Sequence, residues 1–297
     1  MKDILTEFEV GTRLDKALAL GYPQYSRSAL EKLVLSGDVT VNGEVVATKY
    51  KLKPKDKISV ELRLFQRPTP STQLPIIYED EDVVVVDKPS GVLTHAKGTL
   101  HNEATVATWL KLNSTRIIPA TGMILVKEFW ESNRAGIVHR LDRGTSGVMI
   151  CAKHEKSQTF LQKQFANRRV KKTYLAVISG TMPQTNGLID VPIERNPKKP
   201  ATFRAGPNGK SAQTEFLVLN SNEDYSLVQL KPTTGRTHQI RVHLNFLKHP
   251  IVGDELYGGE KADRMMLHAQ ELEITLPSKA RRKFVSEMPT EFSGYLK

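Results

Sequence analysis

The sequence predicts an α+β protein: a large domain on a largely antiparallel mixed sheet with flanking helices, preceded by a small unit of two helices and a β-hairpin. Runs rich in β-branched and aromatic residues indicate strands, and they follow one another without a regular strand–helix alternation. The glycine patterns GxGxxG and GxxxxGK, which are typical of nucleotide-binding parallel sheets, do not occur. The strand-like runs lie at residues 76–78, 83–86, 136–138, 147–152 and 174–178, and a basic helix is expected over 155–169.

Composition favours an anionic partner. The 297 residues are enough for two domains, each with its own core. Lys and Arg number 43 against 32 Asp and Glu, so the formal net charge is +11. Such an excess is typical of proteins that bind nucleic acids, although an ordinary basic enzyme is the alternative. The single cysteine, Cys151, excludes an intrachain disulfide, and its apolar neighbours predict a buried position.

No segment of the sequence has the character of a membrane anchor. The first ten residues, MKDILTEFEV, are mixed in charge, and no run approaches the roughly 20 apolar residues that span a bilayer. We therefore expect a soluble cytoplasmic protein without a membrane partner, and a monomer.

A proline-rich stretch, QRPTPSTQLP at 66–75, predicts a linker between an N-terminal module at 1–65 and a main domain at 76–297. In the module, apolar residues at helical spacing predict two short helices. The run VTVNGEVV at 39–46 predicts a strand, an Asn-Gly turn and a second strand. The apolar helical positions are Leu14, Ala17 and Leu18, then Leu30, Leu33 and Val34.

Lysines recur at every second position from 49 to 57, and in an extended chain they would lie on one side. They could form no more than a solvated face. Phosphate contact explains them better, because the preceding helices also carry Arg13, Arg27 and Lys32. The pattern TRLDKAL…SRSALEKLVLSGDVTVNGEVV…LKPKDKISV resembles the small RNA-binding module named after a small-subunit ribosomal protein. The hairpin after the helices argues against the alternative, a DNA-binding helix-turn-helix.

A polar loop between two apolar runs, GIVHRLDRGTSGVMICAK at 136–153, places Asp142 between Arg140 and Arg143. Asp-Arg-Gly is turn-forming sequence, so Asp142 could be a turn residue alone. A carboxylate beside arginines is also kept ionised, which is the state that a nucleophile or base requires at neutral pH. A metal site is disfavoured, because His139 has no partners at metal-ligand spacing.

Further motifs follow in order: RRVKKTYLA at 168–176, TGRTHQIRVHL at 234–244, HPIVGDELYG at 249–258 and LHA at 267–269, with DKPSGVLTHAKG at 87–98 before the polar loop. Together with HRLDRGTSG at 139–147 they resemble the pseudouridine synthases of the RluA type, over almost all of 76–297. The resemblance implies isomerisation of uridine to pseudouridine in RNA. Nothing enters or leaves overall in that reaction, so no cofactor or metal is expected.

The resemblance also implies roles for single residues. Asp142 matches the family's essential aspartate, and attack on the sugar, attack on the base and proton removal all stay open. Tyr174 matches the tyrosine that stacks on the target uracil, with a core aromatic as the alternative. Arg241 matches the arginine that pairs with the aspartate. The residues implied to bind substrate are Arg140, which enters the helix where the flipped base had been, Lys172, Leu267 and His139.

Residues 237–248 show both strand alternation and a polar helical stripe. The pattern slightly favours a strand, whereas the resemblance implies a helix, and we follow the resemblance. Residues 99–135 match the family poorly, so substrate choice could reside there. Ribosomal RNA is the favoured target, and transfer RNA is the alternative.

Two other functions remain. The first is a catalytically silent RNA-binding factor, against which the set Asp142, Tyr174 and Arg241 speaks. The second is a hydrolase that uses Asp142 with a second carboxylate such as Asp254. Release of tritium from carbon 5 of labelled uridine distinguishes the isomerase from both.

Overall fold

The fold of the N-terminal module agrees with the predicted helices. The computed structural model describes residues 2–5, 7–23, 25–62, 71–96, 103–113 and 134–297. The module contains β1 (Lys2–Leu5), α1 (Leu14–Gly21), α2 (Arg27–Leu35), β2 (Val39–Val41) and β3 (Ile58–Glu61). Its sheet is antiparallel in the order β1-β3-β2. The apolar helical residues predicted to face inwards are all buried in its core.

The predicted hairpin at 39–46 is only half correct. Asn42 and Gly43 form the turn with positive φ angles of 53° and 88°, and Val41 and Glu44 exchange backbone hydrogen bonds of 2.9 and 3.0 Å. After Glu44 the chain leaves the sheet at residues 45–46, and Val45 is 63% exposed. The partner of β2 is β3, because Ile58 and Val60 supply the buried side chains that a second arm would need.

The lysines between 49 and 57 are exposed but do not form a single row. The chain turns at 54–55, where Lys55 has a φ of +69°, so the segment is not extended as predicted. Leu52 and Asp56 are buried between the lysines. The carboxylate of Asp56 accepts hydrogen bonds of 2.8 Å from the Asn42 amide and from the backbone N–H of Lys53, which fixes the turn.

The main domain is built on a mixed sheet, as predicted. Its strands are β4 (Ile76–Glu79), β5 (Val83–Lys88), β6 (Ser146–Ala152), β7 (Lys171–Ser179), β8 (Asn186–Asp190), β9 (Ile193–Arg195), β10 (Phe203–Ala205), β11 (Gln213–Ser221), β12 (Tyr225–Pro232), β13 (Leu267–Thr275) and β14 (Arg281–Val285). Nine of them form one sheet in the order β4-β5-β6-β13-β7-β12-β11-β8, with β14 beside β13. Among the strands described, only β6 and β13 pair in parallel. The helices are α3 (Val106–Leu112), α4 (Glu155–Ala166), α5 (Gln239–Phe246) and α6 (Glu291–Gly294), with a 3-10 turn at Glu255–Tyr257.

Strands β5 and β6 are apolar at successive positions because both faces of the sheet are covered there. Val84 and Met149 pack towards Trp109 of α3, whereas Val83 and Ile150 pack on the opposite face with Leu161 of α4 and Phe284. Cys151 is fully buried as predicted, and burial raises the pKa of its thiol to about 12. The strand predicted at 136–138 is wrong, because within it only Ile137 forms a bridge, to Cys151.

Helix α5 confirms the helix implied by the resemblance over the strand favoured by alternation. Ile240 and Leu244 lie in the main core, whereas Phe246, which the strand pattern would bury, is 51% exposed. At the end of the predicted linker, Leu74 is buried and the Pro75 carbonyl accepts a 2.9 Å hydrogen bond from Asp87. Residues 63–70 and 97–98 lie outside the described residues. So do 99–102 and 114–133, which belong to the region 99–135 expected to choose the substrate. In the described part of the chain, no helix has the length and apolar character to cross a membrane.

The parallel contact between β6 and β13 requires a glycine, and this predicts a stability effect. Gly147 has a φ of +111°, and an added Cβ would lie 2.2 Å from the Ala269 carbonyl oxygen. We expect Gly147→Ala to lower the free energy of unfolding by about 3 kcal/mol, from backbone strain and displacement of β13. Denaturant unfolding of the purified protein measures it.

Gly91→Ala is the matched control, because Gly91 has a φ of +86° with nothing within 4 Å of the added Cβ. It should cost only about 1 kcal/mol. Equal losses in the two variants would show that the contact with Ala269 is not the constraint.

Candidate active site

One cleft of about 490 Å³ collects the residues that the sequence assigned to catalysis and substrate binding. They come from the loop before β6, from β7, from α5 and from the start of β13. The cleft is lined by all seven of them: His139, Arg140, Asp142, Lys172, Tyr174, Arg241 and Leu267. A set drawn from four separate segments therefore shares one surface.

Asp142 lies on the loop 139–145, with its side chain 18% exposed. Its carbonyl accepts a 3.1 Å hydrogen bond from the Thr145 N–H, so it does begin a turn. Its carboxylate also faces the cleft, where Arg241 Nη1 donates a 3.1 Å hydrogen bond to Oδ2. Asp142 can therefore begin the turn and direct its carboxylate into the cleft at the same time.

The arginines that flank Asp142 in sequence do not hold it, contrary to the expectation. Arg143 donates two 2.6 Å hydrogen bonds to the exposed carboxylate of Glu103. Arg140 is exposed and makes no hydrogen bond or ion pair with other described residues. The cation beside Asp142 is Arg241, from a helix 99 residues further along the chain.

Arg241 is itself held by a buried carboxylate. Its Nε and Nη2 each donate a 2.7 Å hydrogen bond to Asp254, and its guanidinium lies 4.8 Å from the centre of the Tyr257 ring. Burial lowers the pKa of Arg241, but the hydrogen bonds and charge of Asp254, together with Asp142, raise it above its ordinary value. Arg241 therefore stays charged, with one nitrogen left for Asp142.

Asp254 is a positioning residue that the sequence did not reveal as such. Its side chain is 1% exposed and it does not line the cleft. Because both of its oxygens bind Arg241, it does not serve as the second carboxylate of a hydrolase. In the sequence Asp254 lies between Gly253 and Glu255, and nothing there indicated its partner.

Tyr174 and Leu267 give the cleft an apolar wall. Tyr174 lies on β7 opposite Leu230 of β12 and Ala269 of β13, and Leu267 is the buried first residue of β13. Burial raises the pKa of the Tyr174 phenol, and the charge of Asp142 adds to the effect. The phenol is therefore protonated at neutral pH, and its ring presents a flat apolar surface beside the carboxylate.

Lys172 and His139 differ in charge. Lys172 Nζ donates a 3.1 Å hydrogen bond to the Thr234 carbonyl, and burial lowers its pKa to about 8. His139 stacks on Phe165 at 4.6 Å, and its Nε2 accepts a 3.1 Å hydrogen bond from the Ile150 N–H. Burial, with a smaller effect of Lys172, lowers the pKa of His139 to about 3. His139 is thus neutral and ties the loop 139–145 to β6.

A buried lysine, Lys88, also supports the loop 139–145 through hydrogen bonds to backbone carbonyls. Lys88 is fully buried, and its Nζ donates to the carbonyls of Pro89, Val92 and Arg143 at 3.0, 2.7 and 3.3 Å. Burial lowers the pKa of Lys88 to about 7, against the attraction of Asp142. The Thr94 hydroxyl donates a 2.8 Å hydrogen bond to the Leu141 carbonyl. The segment DKPSGVLT therefore anchors the loop that presents Asp142.

His238 is a cleft residue whose position the sequence did not explain. It precedes α5, its Nδ1 lies 2.8 Å from the Tyr257 hydroxyl, and its Nε2 lies 3.8 Å from Asp142 Oδ1. Within the described ranges, no group of three or more His, Cys, Asp or Glu residues could hold a metal ion. His243 is buried, with its ring nitrogens bonded to Thr214 and to the Val191 carbonyl.

In the N-terminal module, the buried carboxylate of Asp15 orients Arg13 and Arg27. Arg13 donates to it from Nε and Nη2 at 3.0 and 2.8 Å, and Arg27 donates from Nε at 3.1 Å and from Nη2. The two arginine side chains remain 36% and 48% exposed, and Lys32 is also exposed. The three cations predicted to contact RNA are therefore at the surface, and two of them have fixed directions.

Comparison with known proteins agrees with this geometry. Residues 82–246 match the family described as RNA pseudouridylate synthase, and residues 12–58 match the S4 domain. The ribosomal large subunit pseudouridine synthase D of Borreliella burgdorferi is 36% identical, over 100% of this chain and 92% of that protein. The protein of the same name from Escherichia coli K12 is 35% identical, over 92% of this chain and 86% of its own length.

A solved structure is also similar to this chain. Human RNA pseudouridylate synthase domain containing 1 superposes with a TM-score of 0.58 at 29% identity, over 75% of this chain and 86% of that one. The matched regions include the loop with Asp142 and the strand with Tyr174. The chain belongs to the RNA pseudouridylate synthase family, with an S4 domain before its catalytic part.

Proposed function

We propose that this enzyme isomerises uridine to pseudouridine in ribosomal RNA of the large subunit, with Asp142 as the essential carboxylate. The observation that carries the proposal is the Asp142 carboxylate, held by buried Arg241 beside the apolar wall of Tyr174 and Leu267. Family membership supports RNA as the substrate. The names of the relatives from Borreliella burgdorferi and Escherichia coli support ribosomal rather than transfer RNA.

The reaction explains the small set of groups in the cleft. The bond between ribose C1′ and uracil N1 breaks, and a bond between C1′ and C5 forms. The proton on C5 leaves to solvent, and N1 takes up a proton, so atoms and electrons balance without an added reagent. We infer that the enzyme requires no cofactor or metal, and that it acts as a monomer in the cytoplasm.

Each cleft residue has a part in this proposal. Asp142 supplies the negative charge beside the ribose, as nucleophile or base, and the hydrogen bond from Arg241 directs it. The ring of Tyr174 stacks on the uracil and Leu267 packs against its edge, so the detached base stays in place while it turns. Lys172, with a pKa of about 8, is mostly cationic at neutral pH and binds RNA at the cleft edge, next to His139.

The nucleotide must leave its helix to reach Asp142, and unstacking costs a few kcal/mol. Arg140 is exposed and lines the same cleft. We propose that its guanidinium enters the space that the base has left, and so offsets part of that cost.

The proposed domain organisation is an RNA-binding module at 1–65, a linker at 66–75 and the catalytic domain at 76–297. The S4 match over 12–58 supports the first assignment. Arg13, Arg27 and Lys32 would then contact phosphates of structured RNA outside the catalytic cleft.

Asp142→Asn tests the carboxylate directly, since it keeps the shape of the side chain and removes its charge. We expect turnover to fall by at least about 10³-fold, or about 4 kcal/mol of transition-state stabilisation. RNA affinity should stay within a few-fold of the parent, because no attraction to phosphate is lost. Tritium release from RNA labelled at carbon 5 of uridine, under single-turnover conditions, measures the rate.

Asp263→Asn, at an exposed position outside the cleft, is the matched control for Asp142→Asn. Substantial activity in the Asp142 variant would leave Asp142 as a turn residue.

Arg241→Met separates electrostatic from structural effects when it is combined with Asp254→Asn. The single change leaves the carboxylate of Asp254 buried and unpaired, so we expect a loss of about 3–5 kcal/mol in unfolding free energy. Adding Asp254→Asn removes that charge and should recover much of the stability. Turnover of the double variant should nevertheless remain at least about 10²-fold below the parent, because Asp142 still lacks its cation. Recovery of turnover together with stability would show that Arg241 acts only through folding.

Deletion of residues 1–65 tests the module. We expect the Kd for ribosomal RNA to rise at least about tenfold and its salt dependence to flatten, because lysine and arginine contacts to phosphates are lost. Turnover on a short substrate at saturating concentration should largely survive. Filter binding at several salt concentrations measures both quantities. Unchanged affinity and slope would contradict the proposed role of the module.

A further inference from the structure

His238 adopts a backbone conformation that is uncommon for residues other than glycine. Its φ and ψ are 55° and 22°, in the left-handed region that glycine and asparagine occupy more readily. It is the N-terminal capping residue of α5, yet its side chain makes no capping hydrogen bond. The position of the imidazole is therefore determined by contacts with its neighbours, and not by the local preference of the chain.

Those neighbours are two aromatic rings. The rings of Phe203 and Tyr257 make T-shaped contacts with the imidazole at centroid distances of 5.7 and 5.6 Å, with interplanar angles of 81° and 85°. The imidazole therefore has little freedom to tilt. The side chain is only 16% exposed, and it lines the cleft beside Asp142.

The Tyr257 hydroxyl selects the tautomer of His238. The backbone N–H of Phe203 donates a 2.9 Å hydrogen bond to the hydroxyl oxygen, so the phenol proton is free for the 2.8 Å contact with His238 Nδ1. A neutral imidazole that accepts at Nδ1 carries its proton on Nε2. Burial lowers the pKa of His238, although the negative charge of Asp142 acts in the opposite direction. Because the pKa is lowered, the ring is neutral. Burial also raises the pKa of the Tyr257 phenol, so that group remains a donor.

The Nε2–H of His238 faces the oxygen of Asp142 that Arg241 does not hold. Arg241 contacts Oδ2 at 3.1 Å, and His238 Nε2 lies 3.8 Å from Oδ1. The second distance exceeds that of a hydrogen bond, but such contacts commonly shorten when substrate binds. With Oδ2 alone fixed, the carboxylate is free to rotate about that contact.

We propose that His238 is a positioning residue: its Nε2–H, directed by Tyr257, closes on Asp142 Oδ1 when RNA enters the cleft and fixes the carboxylate plane towards the nucleotide. The inference rests on the proposed function, because it assigns His238 a role through Asp142. It goes further because it names His238 as a second contact that fixes the carboxylate, and Tyr257 as the group that directs His238.

Two substitutions of His238 separate the hydrogen-bond donor from the backbone conformation. One keeps the donor, and the other suits the left-handed backbone. The amide nitrogen of glutamine lies as many bonds from Cα as His Nε2 does, so His238→Gln keeps a donor for Oδ1. Asparagine is too short to supply that donor, but it suits the left-handed backbone better than glutamine does. A role through Nε2–H and a purely structural role therefore predict opposite orders of activity.

The experiment measures kcat, KM and thermal stability of the full chain with transcribed large-subunit ribosomal RNA that carries tritium at carbon 5 of uridine. We expect kcat of His238→Gln to lie within about fivefold of the parent and that of His238→Asn to fall about 30- to 100-fold. KM should be unchanged in both, and His238→Asn should have the higher Tm of the two. Equal kcat values, or a kcat order that follows Tm, overturn the inference.

Tyr257→Phe provides a second variant that does not alter the strained residue. It should lower kcat about tenfold in the parent and have no further effect in the His238→Asn background, because the two groups act in series. Additive losses overturn the inference. His249 bonds to the Ser179 carbonyl outside the cleft, so His249→Gln and His249→Asn should both retain the parental kcat.

Asp142→Asn in the same assay separates the two proposals. If that variant remains active, the proposed function of Asp142 fails. If it is inactive while His238→Asn retains the parental kcat, only the inference about His238 fails.

Discussion

The buried ion pair between Arg241 and Asp254 is the interaction on which the rest of the cleft depends. Removing two charges from water costs several kcal/mol for each, and the cost is offset only when the geometry satisfies both groups. Here Asp254 accepts two 2.7 Å hydrogen bonds, and the ring of Tyr257 covers the guanidinium. The remaining nitrogen reaches Asp142. One oxygen of the Asp142 carboxylate is thus held by a pair of residues from a distant part of the chain, which it meets only in the folded domain.

The sheet brings the loop 139–145 to that arginine. Gly147 permits the close parallel contact between β6 and β13, which places the loop near Leu267, and Lys88 holds the loop through three carbonyl groups. Burying an amine without a carboxylate partner is costly, and its lowered pKa reflects that cost. The fold thus accommodates a buried amine behind the cleft and positive φ angles of 55° at two residues that line it, Arg168 and His238.

The sequence predicted the composition of the cleft better than its contacts. The motif residues do share one surface, and α5 forms as the resemblance implied. The neighbours of Asp142 in sequence proved misleading, because a turn directs Arg143 outwards to Glu103. The roles of Asp254 and His238 depend on partners across the fold, which a linear pattern does not record. The prediction of a second strand in the N-terminal hairpin was wrong for a similar reason. The apolar partner of β2 is β3, which lies beyond the segment of lysines in the chain.

The surface of the N-terminal module carries two kinds of cation. Arg13 and Arg27 have already lost rotational freedom to Asp15, whereas the lysines between 49 and 57 extend into solvent. In the proposed role, mobile charges attract a polyanion over a screening length of about 8–10 Å but specify no orientation. Immobilised guanidinium groups lose less entropy on contact and accept a phosphate only in matching directions. Approach and register would then be governed by separate residues, so that the speed of encounter and the choice of docking orientation can evolve independently.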